Sequence, residues 1–94
     1  MKELDPLIHS QLRLAIMSLL MNLVEADFVY LKEKTEATAG NLSVQIDKLS
    51  AEGYIAVEKG FVGKKTRTVC RITPKGIKAF EEYVEALKTY LNLS

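Results

Sequence analysis

The sequence has one cysteine, one histidine, two prolines and almost no net charge. The lone Cys70 excludes an intramolecular disulfide framework and any multi-cysteine zinc or iron–sulfur centre. His9, equally alone, leaves the usual metal-binding and acid–base constellations without material, so no metal, no cofactor and no enzymatic activity are expected. Long hydrophobic runs are missing too. The most apolar stretch, residues 14–24, is broken by Ser18 and Asn22 and falls short of the ~20 residues of a bilayer span. Glu3 and Asp5 spoil the basic start of a signal peptide, and no small-x-small cleavage site follows. These absences predict a cytoplasmic protein with no membrane partner.

What is present is the composition of a globular chain: 48% apolar and 27% charged residues over 94 positions. Without repeats, low-complexity tracts or linkers, residues 1–94 read as a single domain. Such a domain buries at best roughly two-thirds of its unfolded surface.

Local signals order the elements. Asp5-Pro6 combines a capping carboxylate with a proline that has no N–H to waste, so a first helix is expected from there to about Leu23. Its apolar residues form two stripes. Ile8, Leu12, Ala15, Ile16, Leu19, Leu20 and Leu23 make the broad one, and Leu7, Leu14, Met17 and Met21 the narrow one. Asp27 caps a short helix to about Thr35, with Phe28, Leu31 and Thr35 inward. Thr38 caps a third helix to about Glu52, with Ala39, Leu42, Ile46 and Leu49 inward, and Gly53 suits the left-handed position that ends helices. The period then changes to two. Ile55 and Val57 share a face in one strand, Cys70 and Ile72 match them in the next, and residues 59–66 read as a long loop between them. Thr73-Pro74 starts a last helix to about Leu93.

The near-zero charge conceals an asymmetry. Residues 54–76 carry Lys59, Lys64, Lys65, Arg67, Arg71 and Lys75 against Glu58 alone, a local +5 on a body of −4. Cations of one sign at a hairpin tip are what phosphate neutralisation requires. The outward face of the third helix complements them. Gly40, Val44 and Ala51 are short, and Asn41, Gln45 and Lys48 flank them, a face slim enough for a B-DNA major groove ~12 Å wide. Amides there pair with adenine, and Val44 suits a thymine methyl.

The run from Leu31-Lys32-Glu33-Lys34-Thr35 through Thr38-Ala39-Gly40-Asn41-Leu42-Ser43 to Leu49-Ser50-Ala51-Glu52-Gly53-Tyr54-Ile55 resembles the helix-turn-helix of winged-helix transcription regulators. Gly63-Lys64-Lys65-Thr66-Arg67-Thr68 and Ile72-Thr73-Pro74-Lys75-Gly76 resemble their wing and the helix after it. The best match is the small stand-alone group in the MarR/ArsR-like superfamily, over residues 4–93. The resemblance implies an α+β, mainly α, winged helix-turn-helix: three helices, a two-stranded wing hairpin and a long C-terminal helix. It implies base contacts from Gly40, Asn41, Val44, Gln45 and Lys48, phosphate contacts from Thr38 and Ser43, and a wing grip by Lys64, Lys65, Thr66 and Arg67. Two positions depart from the pattern. Glu36-Ala37-Thr38 stands where Gly-Leu-Thr is common, and Thr66 stands where a proline is common.

In the last helix Ile77, Phe80, Val84, Leu87 and Leu91 repeat at three and four, beside Ala79, Tyr83, Ala86, Tyr90 and Leu93. With the double-striped first helix, this apolar surface exceeds what one small domain covers. A homodimer is expected, burying Leu7, Leu14, Met17, Met21, Tyr83, Val84, Leu87, Tyr90, Leu91 and Leu93. A small-molecule effector would use the cleft between the terminal and DNA-binding helices. Cys70 reads as a buried small hydrophobe, and His9 as a surface or interface side chain beside Arg13. The functional expectation is a transcriptional regulator that binds specific double-stranded DNA. The alternative is a winged-helix protein-interaction module without specific DNA binding.

Overall fold

The structure, a computed structural model, describes residues 2–91; Leu93, expected at the dimer interface, lies outside them. Four helices, α1 (Gln11–Leu23), α2 (Phe28–Thr35), α3 (Ala39–Ala51) and α4 (Pro74–Leu91), combine with three strands, β1 (Glu25–Asp27), β2 (Ile55–Val62) and β3 (Lys65–Ile72). The sheet is antiparallel with order β1-β3-β2. Its radius of gyration, 14.0 Å, exceeds the ~12 Å of a compact chain this long. The wing, whose tip stands exposed, and the long α4 both extend the molecule.

The capping signals act as read. Asp27 accepts from the Tyr30 amide at 2.8 Å and Thr38 from the Asn41 amide at 3.1 Å, each satisfying an orphan N–H of a helix start. Gly53 takes φ +81° and turns the chain from α3 into β2. The period-two pairing is also as read: Ile55 lies opposite Ile72, and Val57 opposite Cys70. Leu31, Leu42, Ile46 and Leu49 are buried against Ile16, Leu20, Ile55 and Cys70. Ala39 is exposed instead, because the first turn of α3 stands clear of that core.

Four expectations change. The first helix starts at Gln11, not at Asp5-Pro6. Asp5 makes one turn, accepting from Leu7 N at 2.9 Å through its side chain and from His9 N at 2.8 Å through its carbonyl. Its other carboxylate oxygen then takes the Tyr54 hydroxyl at 2.5 Å, so the segment is an anchored arm. Secondly, β1 is an unexpected strand, pairing Glu25, Ala26 and Asp27 with Arg71, Cys70 and Val69. Thirdly, the wing has no long loop. Its strands run on to Val62 and Lys65, and Gly63 supplies φ +62° at the first position of a two-residue turn.

Fourthly, Met17 and Tyr83 are buried within the chain, 0% and 3% exposed, and need no partner to cover them. The Tyr83 hydroxyl lies 3.0 Å from His9 Nδ1, which ties the arm to α4. Tyr83 and Ala86 face the body, whereas Ile77, Tyr90 and Leu91 are exposed and Val84 and Leu87 half-buried. No helix among the described residues is long and apolar enough to cross a membrane.

Candidate nucleic-acid interface

α3 is fastened by Leu42, Ile46 and Leu49, all spaced on one side, and this turns Gly40, Val44 and Lys48 outward in a row. Val44 is half exposed, and a Cβ built on Gly40 would meet nothing within 4 Å. This row is slim and unobstructed. Thr38 sits at its N-terminal end with its hydroxyl oxygen engaged in the cap. Ser43 turns toward the wing, where it helps line a cleft of about 320 Å³ with Asp47, Lys59 and Thr68.

Asn41 and Gln45 are brought together differently from the reading above. Gln45 donates to Asn41 Oδ1 at 2.9 Å, and its own Oε1 accepts from Arg13 Nη1 of α1. Arg13 is held in turn by the Leu7 carbonyl at 2.5 Å. Gln45 is half-buried, its oxygen accepts from Arg13, and the oxygen of Asn41 is likewise engaged by Gln45. It works as a strut, steadying Asn41 from the body side. Arg13 has no signal of this role in the sequence, because it lies 32 residues from Gln45.

The wing charge is also redistributed. Arg67 Nε lies 3.5 Å from Asp27, Arg71 bonds Glu25 at 2.8 Å, and Lys75 lies 3.7 Å from Glu52 while donating to its carbonyl at 2.8 Å. The hydrogen bond and charge of Glu25 hold the Arg71 guanidinium above its ordinary range. Half of the basic hairpin is therefore matched by acids of the body. Among the described residues Lys59, Lys64 and Lys65 have no carboxylate within 4.0 Å, and they sit at the outer part of the wing. Arg67 thus bridges β3 and the start of α2 through an exposed ion pair.

Register assigns the wing residues to faces. Opposed residues in an antiparallel pair point the same way, and successive ones alternate. Val57 and Cys70 face the core, so Lys59 and Phe61 with Thr66 and Thr68 continue that face, the side of α3. Lys65 and Arg67 stand on the opposite face, and Lys64 occupies the turn. The sequence pattern put Lys64, Lys65, Thr66 and Arg67 in the wing grip, with Lys59 only part of the hairpin charge and Phe61 unassigned. The alternation running out from Cys70 could have found them, had the two glycines not suggested a loop.

Glu36 explains the departure in the helix-turn-helix. It holds φ 56°, ψ 24°, the left-handed position where a glycine is common, and its side chain is exposed. Asp47 is a further acid, missed in the sequence, that lines the α3–wing cleft. Cys70 is buried under the sheet, and burial pushes its thiol up to about 11. It is unreactive packing at neutral pH. Tyr54 is held above the ordinary phenol range by burial first and its Asp5 hydrogen bond second.

This arrangement, a fastened helix with a slim outward row and a wing of unmatched lysines, has counterparts. Residues 12–91 match the family model of the winged helix DNA-binding domain. The uncharacterised protein MJ0432 of Methanocaldococcus jannaschii is 37% identical over 76 residues, 81% of this chain and 83% of its own. A transcriptional regulator homologue from Pyrococcus horikoshii OT3 superposes with TM-score 0.85 at 27% identity, covering 92% of this chain and 85% of that one. NadR, solved in complex with 4-hydroxyphenylacetate, shares the fold at TM-score 0.74 and 19% identity; 93% of this chain covers 64% of it. A transcriptional regulator from Clostridium thermocellum, Cth-833, gives 0.63 at 27% identity, over 94% and 96% of the two chains. The chain belongs to the winged helix DNA-binding domain family.

Proposed function

We propose that the chain binds double-stranded DNA sequence-specifically as a homodimer, each copy acting as one domain with α3 in the major groove and the wing on the flanking backbone. The observation that supports this most strongly is the adjacency of the exposed Gly40–Val44–Lys48 row to a wing whose Lys59, Lys64 and Lys65 lack carboxylate partners. Asn41, Val44 and Lys48 meet base edges, with Gln45 bracing Asn41. Thr38 and Ser43 approach phosphates. Lys64, Lys65 and Thr66 hold the backbone beside the groove, and Arg67 steadies the wing. The dimer forms through Val84, Leu87, Tyr90 and Leu91 of α4 with Leu7, Leu14 and Met21. Such a two-fold axis presents two α3 helices to half-sites about one helical turn apart. The place for a small-molecule effector is the cleft of about 480 Å³ between the start of α1 and the α2–α3 turn, where a ligand would touch Gln45 and Asn41.

Selection of bound duplexes from a randomised library tests the reading. Asn41→Ala should relax preference at particular bases, costing ~1–3 kcal/mol there. Lys64→Ala with Lys65→Ala should weaken all sequences alike. Identical behaviour of the two variants contradicts the division of labour, and absence of duplex binding favours a protein partner. In sedimentation, Val84→Glu with Leu91→Glu should yield a folded monomer; an unchanged dimer refutes this interface.

A further inference from the structure

Phe61 is the most exposed large apolar residue of the described chain, at 75%, and its neighbour Val62 is 61% exposed. Both lie on β2, the edge strand, beside the turn formed by Gly63 and Lys64. A hairpin tip normally carries polar residues, and an aromatic ring left in water at an edge strand invites aggregation. The ring stabilises little within the chain. Its cross-strand partner Thr66 is itself exposed, and no core residue packs against it.

Three features define what would cover it. Lys59 shares its face, and Lys64 and Lys65 flank the tip, all three without a carboxylate in reach, so the occupant is a polyanion with an apolar interior. Phe61 lies two residues beyond Lys59, the last β2 position lining the cleft shared with α3, which carries it ~7 Å past that cleft. Its face is the α3 side. With α3 in a major groove, the adjacent minor groove lies half a helical turn away, ~17 Å. The minor groove, ~6 Å wide, excludes a helix but admits a flat ring edge-on.

We infer that Phe61 is an apolar wedge that enters the DNA minor groove from the wing tip, seated between Lys59, Lys64 and Lys65 on the phosphates. This rests on the DNA-binding reading and adds a selectivity that α3 alone does not supply. Apolar side chains in the minor groove unstack base steps, so the wedge favours A·T-rich, easily deformed sequence beside each half-site. Val62 points to the opposite face and takes no part.

The chain has no tryptophan, so Phe61→Trp places a single fluorophore at the tip. Titration with alternating poly(dA-dT) and poly(dG-dC) duplexes at low salt should shift its emission and shield it from acrylamide, more strongly with poly(dA-dT). Phe61→Ala, at an exposed position that leaves the fold intact, should lose affinity for poly(dA-dT) by about tenfold. The slope of log affinity against log salt should not change, because no counterion is released by the ring. Lys64→Ala with Lys65→Ala should instead flatten that slope. A tryptophan that stays open to acrylamide in the complex, or Phe61→Ala binding as tightly as the parent, overturns the wedge and leaves the DNA reading standing. Emission that shifts on concentrating the protein alone, or on adding anionic vesicles, but not with duplex, also overturns it. If the parent chain binds neither duplex, both readings fall.

Discussion

Two glycines, Gly76 and Gly40, should answer the same substitution with opposite signs. A Cβ on Gly76 would lie 2.0 Å from the Tyr54 carbonyl oxygen, 2.9 Å from its carbon and 3.1 Å from Ile72 Cγ1. Carbon normally keeps about 3.3 Å from such an oxygen, so the start of α4 would have to withdraw by more than ~1 Å. That oxygen accepts from the Thr73 amide at 3.1 Å, and the Thr73 hydroxyl, which donates to the Gly53 carbonyl at 2.6 Å, accepts from the Gly76 amide at 3.0 Å. Loss of these bonds costs about 1 kcal/mol each, and loosened packing adds to it. Alanine's helical preference returns roughly 1 kcal/mol. Gly76→Ala should therefore destabilise the chain by about 2–4 kcal/mol. At Gly40 no atom lies within 4 Å of the new methyl, so Gly40→Ala should stabilise by about 0.5–1 kcal/mol. Urea unfolding followed by circular dichroism should show the midpoint falling for one and rising for the other at unchanged slope. Gly40→Ala should nevertheless weaken duplex binding, since its methyl projects from the row assigned to the groove. A Gly76→Ala midpoint equal to the parent's refutes the close approach of α4 to Tyr54. Undiminished binding by Gly40→Ala refutes the orientation of α3.

Glu36→Gly should raise stability by about 0.5–1 kcal/mol, the left-handed strain of Glu36 outweighing glycine's entropy, and should tighten duplex binding by removing an acid beside phosphate; a lowered urea midpoint contradicts it. Stability should fall as pH rises from 9 to about 11. Cys70 keeps its proton in the fold after the unfolded chain has lost it, Tyr54 acts the same way above its ordinary range, and the unfolded state then binds fewer protons. A urea midpoint that stays flat or rises over that interval refutes this burial. Arg13→Ala should release Gln45 and broaden base preference where Asn41 reads, with little change in salt dependence; unchanged preference shows that the strut has no role.

The parts legible in the sequence are those fixed by local chemistry. Thr38 and Asp27 cap the next helix through amides three residues on, and the alternation of Ile55, Val57, Cys70 and Ile72 sets the hairpin register. Other features depend on distant residues. Asp5-Pro6 has a helix-start signature, but Tyr54, 49 residues away, takes its carboxylate. β1 is three residues, Glu-Ala-Asp, with no strand preference of its own; it forms because β3 offers a free edge. Both stripes of α1 are apolar, so the pattern could not tell that Met17 faces the chain's own core. The +5 of the hairpin survives as a sum, yet Asp27, Glu25 and Glu52 match three of its cations, which concentrates the unmatched charge at Lys59, Lys64 and Lys65.

The salt dependence of duplex binding tests the central claim most directly. Lys48, Lys59, Lys64 and Lys65, four of the cations without a carboxylate partner, are those placed against the duplex, eight in the proposed dimer, and at ~0.9 each they predict a slope of log affinity against log salt of about −7. Lys59→Ala, Lys64→Ala and Lys65→Ala combined should reduce it to about −2. A parent chain that binds no duplex at low salt, or a combined variant with the parent's slope, would contradict the account.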